Sequence, residues 1–255
     1  MNGHRAPERI YIGCAGWNLA RSSAGDAAEG SQLERYATLF RATEINTSFH
    51  RSHRRATYER WSASVAPSFR FSVKVPKSIT HEKRLADCDK PLQGFLGEVT
   101  GLGEKLGALL VQLPPSLEFD PIVVEKFFDG LRSRYEGTVV IEPRHKTWFM
   151  PESNRMLQRL AITRVAADPA IVPAAAEPGG YPGKVYFRLH GSPQVYYSSY
   201  TSSFLDGLAF RLRAYARAGA SVWCIFDNTI RGSSTANAQH LMRKIVLEER
   251  AFAAR

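Results

Sequence analysis

"VVIEPRHKTW" (residues 139–148) begins as a strand made for a dry interior and ends in charge. Val139, Val140 and Ile141 are β-branched, the residue type that packs well on a pleated surface. Glu142, Arg144 and His145 follow at once, and none is cheap to bury without a partner. Such a strand suits a parallel sheet, buried on both faces, whose C-terminal edge opens on a polar site.

Seven further runs share this character: "RIYIGCAGW" (9–17), "ATEINTSF" (42–49), "FRFSVKVP" (69–76), "LGALLVQLPP" (106–115), "ITRVAADP" (162–169), "KVYFRLHGS" (184–192) and "ASVWCIFDNT" (220–229). Helical patterns separate most of them. "LERYATLF" places Leu33, Tyr36, Ala37 and Phe40 on one face, and "RRATYERWSASV" does the same less cleanly with Ala56, Tyr58 and Trp61. "DPIVVEKFFDGLRSRY" opens with a capping Asp120 followed by Pro121 and carries Val124, Phe127, Phe128 and Leu131 as a stripe. "SSFLDGLAFRLRAYARAG" is expected to start on a serine cap and to stop at Gly219. Three prolines and three glycines in "AIVPAAAEPGGYPG" (170–183) leave no room for a crossover helix, so a loop or short turn is expected there. "NLARSSAGDAAEGSQ" (18–32) reads as a long surface loop.

Alternating strands and helices imply parallel pairing with right-handed crossovers. Eight strands point to closure into a (β/α)₈ TIM-type barrel, here one domain over 1–255 with an irregular crossover between the sixth and seventh strands. An open doubly wound sheet would normally carry a phosphate loop after its first strand, and "GCAGWN" has neither GxGxxG nor a GK[ST] ending.

The chain has 255 residues, 44% of them hydrophobic, enough for one large core. A formal charge of +10 speaks for attraction to polyanions, or simply for an arginine-rich solvated surface. Cys14, Cys88 and Cys224 make no CxxC pair and are expected to be free thiols in a reducing compartment. No apolar stretch has the length of a signal peptide or a membrane span, so a cytoplasmic protein without membrane partners is expected.

In a barrel of this type the active site lies at the C-terminal ends of the strands. Polar residues gather there: Glu44, Asn46 and Ser48, then Lys74, Gln112, Glu142 with Arg144, Asp168, Arg188 with His190, and Asp227 with Asn228. Residues two apart share a face, so Glu44 and Asn46, Ser72 and Lys74, Glu142 and Arg144, and Arg188 and His190 point together toward the axis, while Ile45, Val73, Phe187 and Leu189 meet the helices. An ion network that only satisfies itself is the structural alternative, but gathering so many charges at one end costs several kcal/mol per ion, about the magnitude that argues for a site.

Lys74, Arg144 and Arg188 have the chemistry of a clamp for phosphate or carboxylate. Glu44, Glu142 and His190 are the candidates for proton transfer, with Lys74 and Asp227 completing the catalytic set. Glu44 and Glu142 also suit a paired-carboxylate glycosidase. A divalent ion at Glu142, Asp168, His190 and Asp227 is opposed by the fixed positive charge of Arg144 and Arg188 beside it, and no other cofactor is identified.

These residues carry a family likeness. "IGCAGW", "TEINTSFHR" (43–51), "FSVKVPKSITHEKRL" (71–85), "LGALLVQLPPS", "EPRHKTW", "VYFRLHGS", "YYSSY" and "FDNTIRGSSTANAQHL" occur in the order of the corresponding motifs of the YecE-like proteins, domain of unknown function 72, and the chain resembles that family nearly end to end. The resemblance implies a barrel and places Glu44, Asn46, Arg51, Lys74, His81, Arg84, Gln112, Glu142, Arg144, His145, Arg188, His190, Tyr196, Tyr200 and Asn228 on its motif positions. It implies no reaction. Two departures stand out: the small polar stretch after "GCAGW", where the family usually continues with aromatics, a glycine and a Tyr-Pro step, and Asp227, where it more often has Asn.

Outside the ring, "SFHRSHRRATYERW" (48–61) mixes arginines with Tyr58 and Trp61 as single-stranded nucleic-acid surfaces do, though the same aromatics serve equally to anchor a helix. Arg51 is the member nearest the strand end. His81 and Arg84 follow the third strand, Tyr196 and Tyr200 suit stacking on a ring, and Asn237 stands at the start of the last helix, near a frequent phosphate-gripping position. The expected reading is an enzyme acting on a small anionic or sugar-like ligand, with Asn46, Arg51, His81, Arg84, Gln112, Arg144, His145, Arg188, Tyr196, Tyr200 and Asn228 as substrate contacts. The alternatives are a nucleic-acid-binding or metal-assisted phosphodiester-processing barrel, and a non-catalytic ligand sensor.

Overall fold

Side-chain caps set three of the helix starts. Ser31 accepts from the backbone of Glu34 while Glu34 reaches back to the Ser31 N–H, a capping box that begins α1 (Gln32–Leu39). Asp120 accepts from the N–H groups of Ile122 and Val123 ahead of Pro121 and begins α4 (Pro121–Arg132). The cap of α6 (Ser202–Arg217) is Thr201 and not a serine, and the helix ends before Gly219, at Arg217. The remaining helices are α2 (Arg55–Ala63), α3 (Asp89–Val99), α5 (Pro151–Arg159) and α7 (Ser233–Ala253).

The computed structural model describes residues 10–19 and 30–253, with side chains through Leu247. Most of the polar loop read over 18–32 therefore lies outside the described residues. The strands are β1 (Ile10–Ala15), β2 (Ala42–Ile45), β3 (Arg70–Lys74), β4 (Leu106–Gln112), β5 (Val139–Glu142), β6 (Thr163–Arg164), β7 (Ala166–Asp168), β8 (Gly179–Gly180), β9 (Lys184–Leu189) and β10 (Ser221–Phe226). Their order in the sheet is β7-β9-β10-β1-β2-β3-β4-β5-β6-β8. All eight runs read from sequence are present and pair in parallel.

The result is an α/β barrel-like sheet, nearly closed, but not the eight uniform parallel strands expected. The sixth run is split at Val165 into β6, which pairs with β5, and β7, which pairs with β9, so closure passes through a break in one strand. β8 adds one antiparallel pairing to β6. The cause lies in the crossover: Pro173–Ala176 makes only a short 3₁₀ turn where every other crossover has an α-helix, and the chain returns along the edge of β6.

Alternation sorts the apolar residues into two clusters. Ala42, Ala108, Leu110, Val140, Val165, Tyr186, Trp223 and Ile225 fill the inside of the barrel. Their strand neighbours, such as Ile45, Val73, Leu109, Ile141, Phe187 and Phe226, belong to the larger cluster under the helices. Trp223 stacks on Tyr186 at 5.8 Å and on Tyr11 at 4.9 Å, giving the barrel an aromatic floor. Gly107 is required there, because a Cβ would stand 2.5 Å from the Trp223 ring. The three cysteines are free and buried, and burial pushes the Cys14 thiol up to about 12, which makes it inert at neutral pH. Among the described residues no helix is long and apolar enough to cross a membrane.

One side chain from the helical layer enters the sheet itself. The Tyr36 hydroxyl, fully buried, accepts from the Cys14 N–H at 2.8 Å and donates to the Ala42 carbonyl at 2.9 Å, bridging β1 and β2. Tyr36→Phe leaves both backbone groups buried and unpaired, so it is expected to lower unfolding free energy by about 2–3 kcal/mol, measured by urea denaturation.

Candidate functional site

Reading up each inward face shows why "VVIEPRH" changes character. On β5 the axis meets Val140, Glu142 and then Arg144; on β9 it meets Tyr186, Arg188 and His190; on β10, Trp223, Ile225 and Asp227; on β2, Ala42, Glu44 and Asn46. Each face begins apolar at the floor and ends polar at the mouth.

Arg188 is the hub. Its Nε and Nη2 form a fork on Glu44, at 3.1 Å to Oε2 and 2.6 Å to Oε1. Nη1 donates to Glu142 Oε2 at 2.6 Å, and Nη2 also donates to Asp227 Oδ2 at 3.0 Å. Tyr186 donates to Glu44 Oε2 at 2.9 Å and lies 2.8 Å from Ser72 Oγ. Arg188, Glu44 and Glu142 are each at most 1% exposed, so water does none of this solvation. Burial pulls the guanidinium toward release of its proton, but Glu44, Glu142 and Asp227 more than reverse this. Burial likewise pushes the Glu142 carboxyl up, yet Arg188, Arg144 and His190 hold it well below the usual carboxylate range. Asp227 shows the same balance, with burial outweighed by Arg188 and His190.

Above the hub, the His190 ring lies between two carboxylates, with Nδ1 3.0 Å from Asp227 Oδ2 and Nε2 2.9 Å from Glu142 Oε1. Nε2 also stands 2.8 Å from Nη2 of Arg144, which pairs in turn with Glu142 Oε1 at 2.5 Å. Nε2 therefore has an acceptor and a donor at the same reach. A doubly protonated ring donates to both carboxylates; a singly protonated ring keeps its Nδ1 proton on Asp227 and accepts from Arg144. Which of the two partners Nε2 takes depends on the tautomer of the ring.

Three buried polar atoms at this end meet no protein partner: Arg144 Nε, Asn46 Oδ1 and Asn228 Oδ1. Native interiors rarely leave such atoms unpaired. Lys74 adds a cation. Its ammonium sits over the Phe49 ring at 4.0 Å and, among the described residues, makes no hydrogen bond. Burial lowers its pKa, Arg188 lowers it further, and the carboxylates recover only part of the loss.

Not every expected residue joins the ring. Asp168 faces the other way: on the sixth run the inward positions are Thr163 and Val165, and its carboxylate instead accepts from the Tyr200 hydroxyl at 2.8 Å. The four candidate metal ligands are thus not gathered, and no group of three or more His, Cys, Asp or Glu side chains suited to a metal ion occurs among the described residues. Arg188 stands between Glu44 and Glu142, bonded to both, in the space where a glycosidase would place its sugar. It is also too fully engaged to clamp an anion. His145 Nδ1 accepts from the Thr147 N–H at 3.4 Å and caps a 3₁₀ turn, and Arg84 donates to the Ser116 carbonyl and hydroxyl on the next loop. Gln112 donates to the Leu113 carbonyl, Arg51 is exposed, and Tyr200 accepts from the Gly191 N–H.

Tyr196 stays at the mouth, its ring edge-on to His190 at 6.0 Å, and His81 lies 4.9 Å from the Phe49 ring beneath Lys74. Asn228 donates to Ser198 O and to Asn237 Oδ1, tying the mouth loop to the start of α7. In the basic stretch Tyr58 is buried at 1%, and Arg55 pairs with Glu59, which makes this segment a helix anchor. Tyr186 and Phe49 were missed in the sequence reading. Tyr186 was legible as the inward neighbour two residues before Arg188, whereas the contact between Phe49 and Lys74 joins two separate strand ends and leaves no local signal.

Comparison with known proteins places these residues in context. Residues 11–255 match the family described as protein of unknown function DUF72. The chain is 29% identical over 174 residues to the UPF0759 protein YecE of Escherichia coli K12, a match covering 65% of this chain and 61% of that protein. It thus spans about three fifths of the curated relative's length. A DUF72 family protein from Thermotoga maritima MSB8 superposes with a TM-score of 0.77 at 25% identity, covering 94% of this chain and 99% of that one. One from Enterococcus faecalis V583 superposes at 0.78 with 18% identity, covering 93% and 95%.

The ring predicts an acid response. Glu142 and Asp227 titrate lower in the folded chain than in the unfolded one, so their contribution is whole above about pH 4.5 and drains as pH falls below that. Arg188→Met removes the counter-charge and leaves burial to push the same carboxyls up. The variant should lose about 3–5 kcal/mol at pH 7 and regain part of it at pH 5, where wild type gains nothing. Urea denaturation at both pH values decides it, and an equal loss at each would show that ion pairing does not hold the ring.

Proposed function

The chain belongs to the DUF72 family, and we propose that its barrel mouth binds a small anionic molecule and moves a proton on it. The observation that carries this reading is that two cations with spare hydrogen-bonding capacity, the ammonium of Lys74 and the Nε of Arg144, both act on Glu142, beside a histidine with two possible partners at Nε2. Lys74 is held near Arg188 without a carboxylate in contact, so a phosphate or carboxylate between Lys74 and Arg144 would relieve like-charge repulsion and complete the pairing of Nε.

Position divides the labour. Glu44 lies under Arg188 at 0% exposure and serves the hub. Glu142, held well below the ordinary carboxylate range, is a poor proton acceptor and serves to orient His190. His190 is the proton carrier: Asp227 fixes its Nδ1 side, and Nε2 faces Glu142 and Arg144, the latter 21% exposed at the mouth. Asn46 and Asn228 present acceptor oxygens for hydroxyl or amide donors of the ligand, and Tyr196, 42% exposed, offers a ring to its body. This is a reading of an acid–base enzyme for small phosphorylated or carboxylated molecules, and a binding module with the same contacts differs from it only in lacking turnover.

The test uses glucose 6-phosphate, glycolate and pyruvate as probes against the full chain, with glucose as the uncharged control. At least one anionic probe should bind, weaken by about tenfold or more on Lys74→Met or Arg144→Met, and keep its affinity in His190→Gln. Deuterium incorporation from D₂O into that probe, followed by NMR, should disappear in His190→Gln. Equal binding of glucose and glucose 6-phosphate, or binding indifferent to both cation variants, would overturn the anion site; retained binding with no exchange in wild type would assign a sensor.

A further inference from the structure

The missing sixth crossover helix leaves a groove of about 690 Å³ on the outer wall of the barrel, between α5 and α6. It is lined by Phe149, Gln158, Arg164, Tyr181, Lys184 and Tyr215 among others. Arg164 is outward-facing on β6, opposite the inward Thr163 and Val165, and so belongs to a different face of the sheet from the mouth.

Arg164 is 6% exposed, and among the described residues no carboxylate meets it. Nη2 makes one long bond, 3.3 Å, to the Ala174 carbonyl, and Nε is buried with no partner. The guanidinium stands over the Phe149 ring at 4.8 Å and lies flat on Gly179, where a Cβ would come within 2.5 Å of Nη2. Burial opposes its charge, and the Phe149 ring and one long carbonyl bond are what offset it. A buried cation without a counter-ion costs several kcal/mol, about the penalty that Arg188 avoids by pairing. The guanidinium thus has a ring below it, a glycine behind it and a groove in front.

We propose that this groove is a second ligand site, for a small carboxylate with an apolar or aromatic body. The carboxylate would take the fork of Arg164, with Lys184 as a second cation at the rim, and the body would lie between Tyr181 and Tyr215. The groove volume falls within the range of small-molecule sites, about 300–1,000 Å³. The site is independent of the mouth and of the proton transfer proposed there.

The probes are 4-phenylbutyrate and its uncharged amide, titrated into the full chain by isothermal calorimetry at fixed salt. The acid should bind at least about tenfold more tightly than the amide in wild type and in Arg144→Met, and the ratio should fall to about one in Arg164→Met. Gly179→Ala, which displaces the guanidinium without removing it, should weaken the acid and spare the amide. Arg164→Met should melt no lower than wild type, because it removes an uncompensated buried charge. No binding of the acid, equal binding of acid and amide, or a clearly lower melting temperature of Arg164→Met would overturn the proposal. An effect of Arg144→Met equal to that of Arg164→Met would place the ligand in the mouth instead.

Discussion

A single guanidinium on the barrel axis demands carboxylates from three other strands, and the rest of the structure accommodates that demand. Arg188 on β9 takes Glu44 from β2, Glu142 from β5 and Asp227 from the end of β10. These strands are far apart in sequence, and each bond requires its strand in the correct register. A slip by one residue on any of them turns its acid to the helix layer and leaves a buried charge unpaired. The network therefore discriminates against misregistered barrels, even though an apolar plug of equal volume would serve stability as well or better.

The apolar layer below makes this arrangement tolerable. Tyr11, Trp223 and Tyr186 close the floor, and the Tyr186 hydroxyl passes a hydrogen bond up to Glu44, so the lowest ionic contact rests on an aromatic base rather than on water. Above the hub the balance shifts. Lys74 and Arg144 are only partly buried and not fully paired, and His190 has a choice of partner at Nε2. Rigidity below and incompleteness above place the fixed charges at the hub and leave the unfilled hydrogen-bonding groups toward the mouth.

The mouth loops are held by a separate neutral network. Asn228 and Asn237 join the 192–201 segment to the start of α7, and Tyr200 reaches from that segment to Asp168 and the Gly191 N–H. Several motif residues of the family thus do positioning work around the ring rather than in it. Asp227 is bonded to both Arg188 and His190. It adds a third negative charge to the hub and fixes the proton on the far side of the imidazole.

Strand identity and side-chain direction were legible in the sequence because both are local. Eight β-branched runs ending in polar residues, with helical stripes between, were enough for a parallel barrel-like sheet. The two-residue period placed Glu44, Lys74, Glu142, Arg144, Arg188 and His190 on the inside. What each inward charge would be bonded to was not legible, because partner choice depends on how distant strands stack around the axis. That is why Arg188 proved a hub instead of a ligand clamp, Asp168 a tether for Tyr200, and His145 a cap. The split of the sixth strand was likewise decided by closure: with no helix to cover it, the proline- and glycine-rich return could only lie along the edge of β6, and Arg164 was left facing a groove. Covalent geometry fixes where a side chain points within its strand, whereas only the assembled barrel determines what it meets.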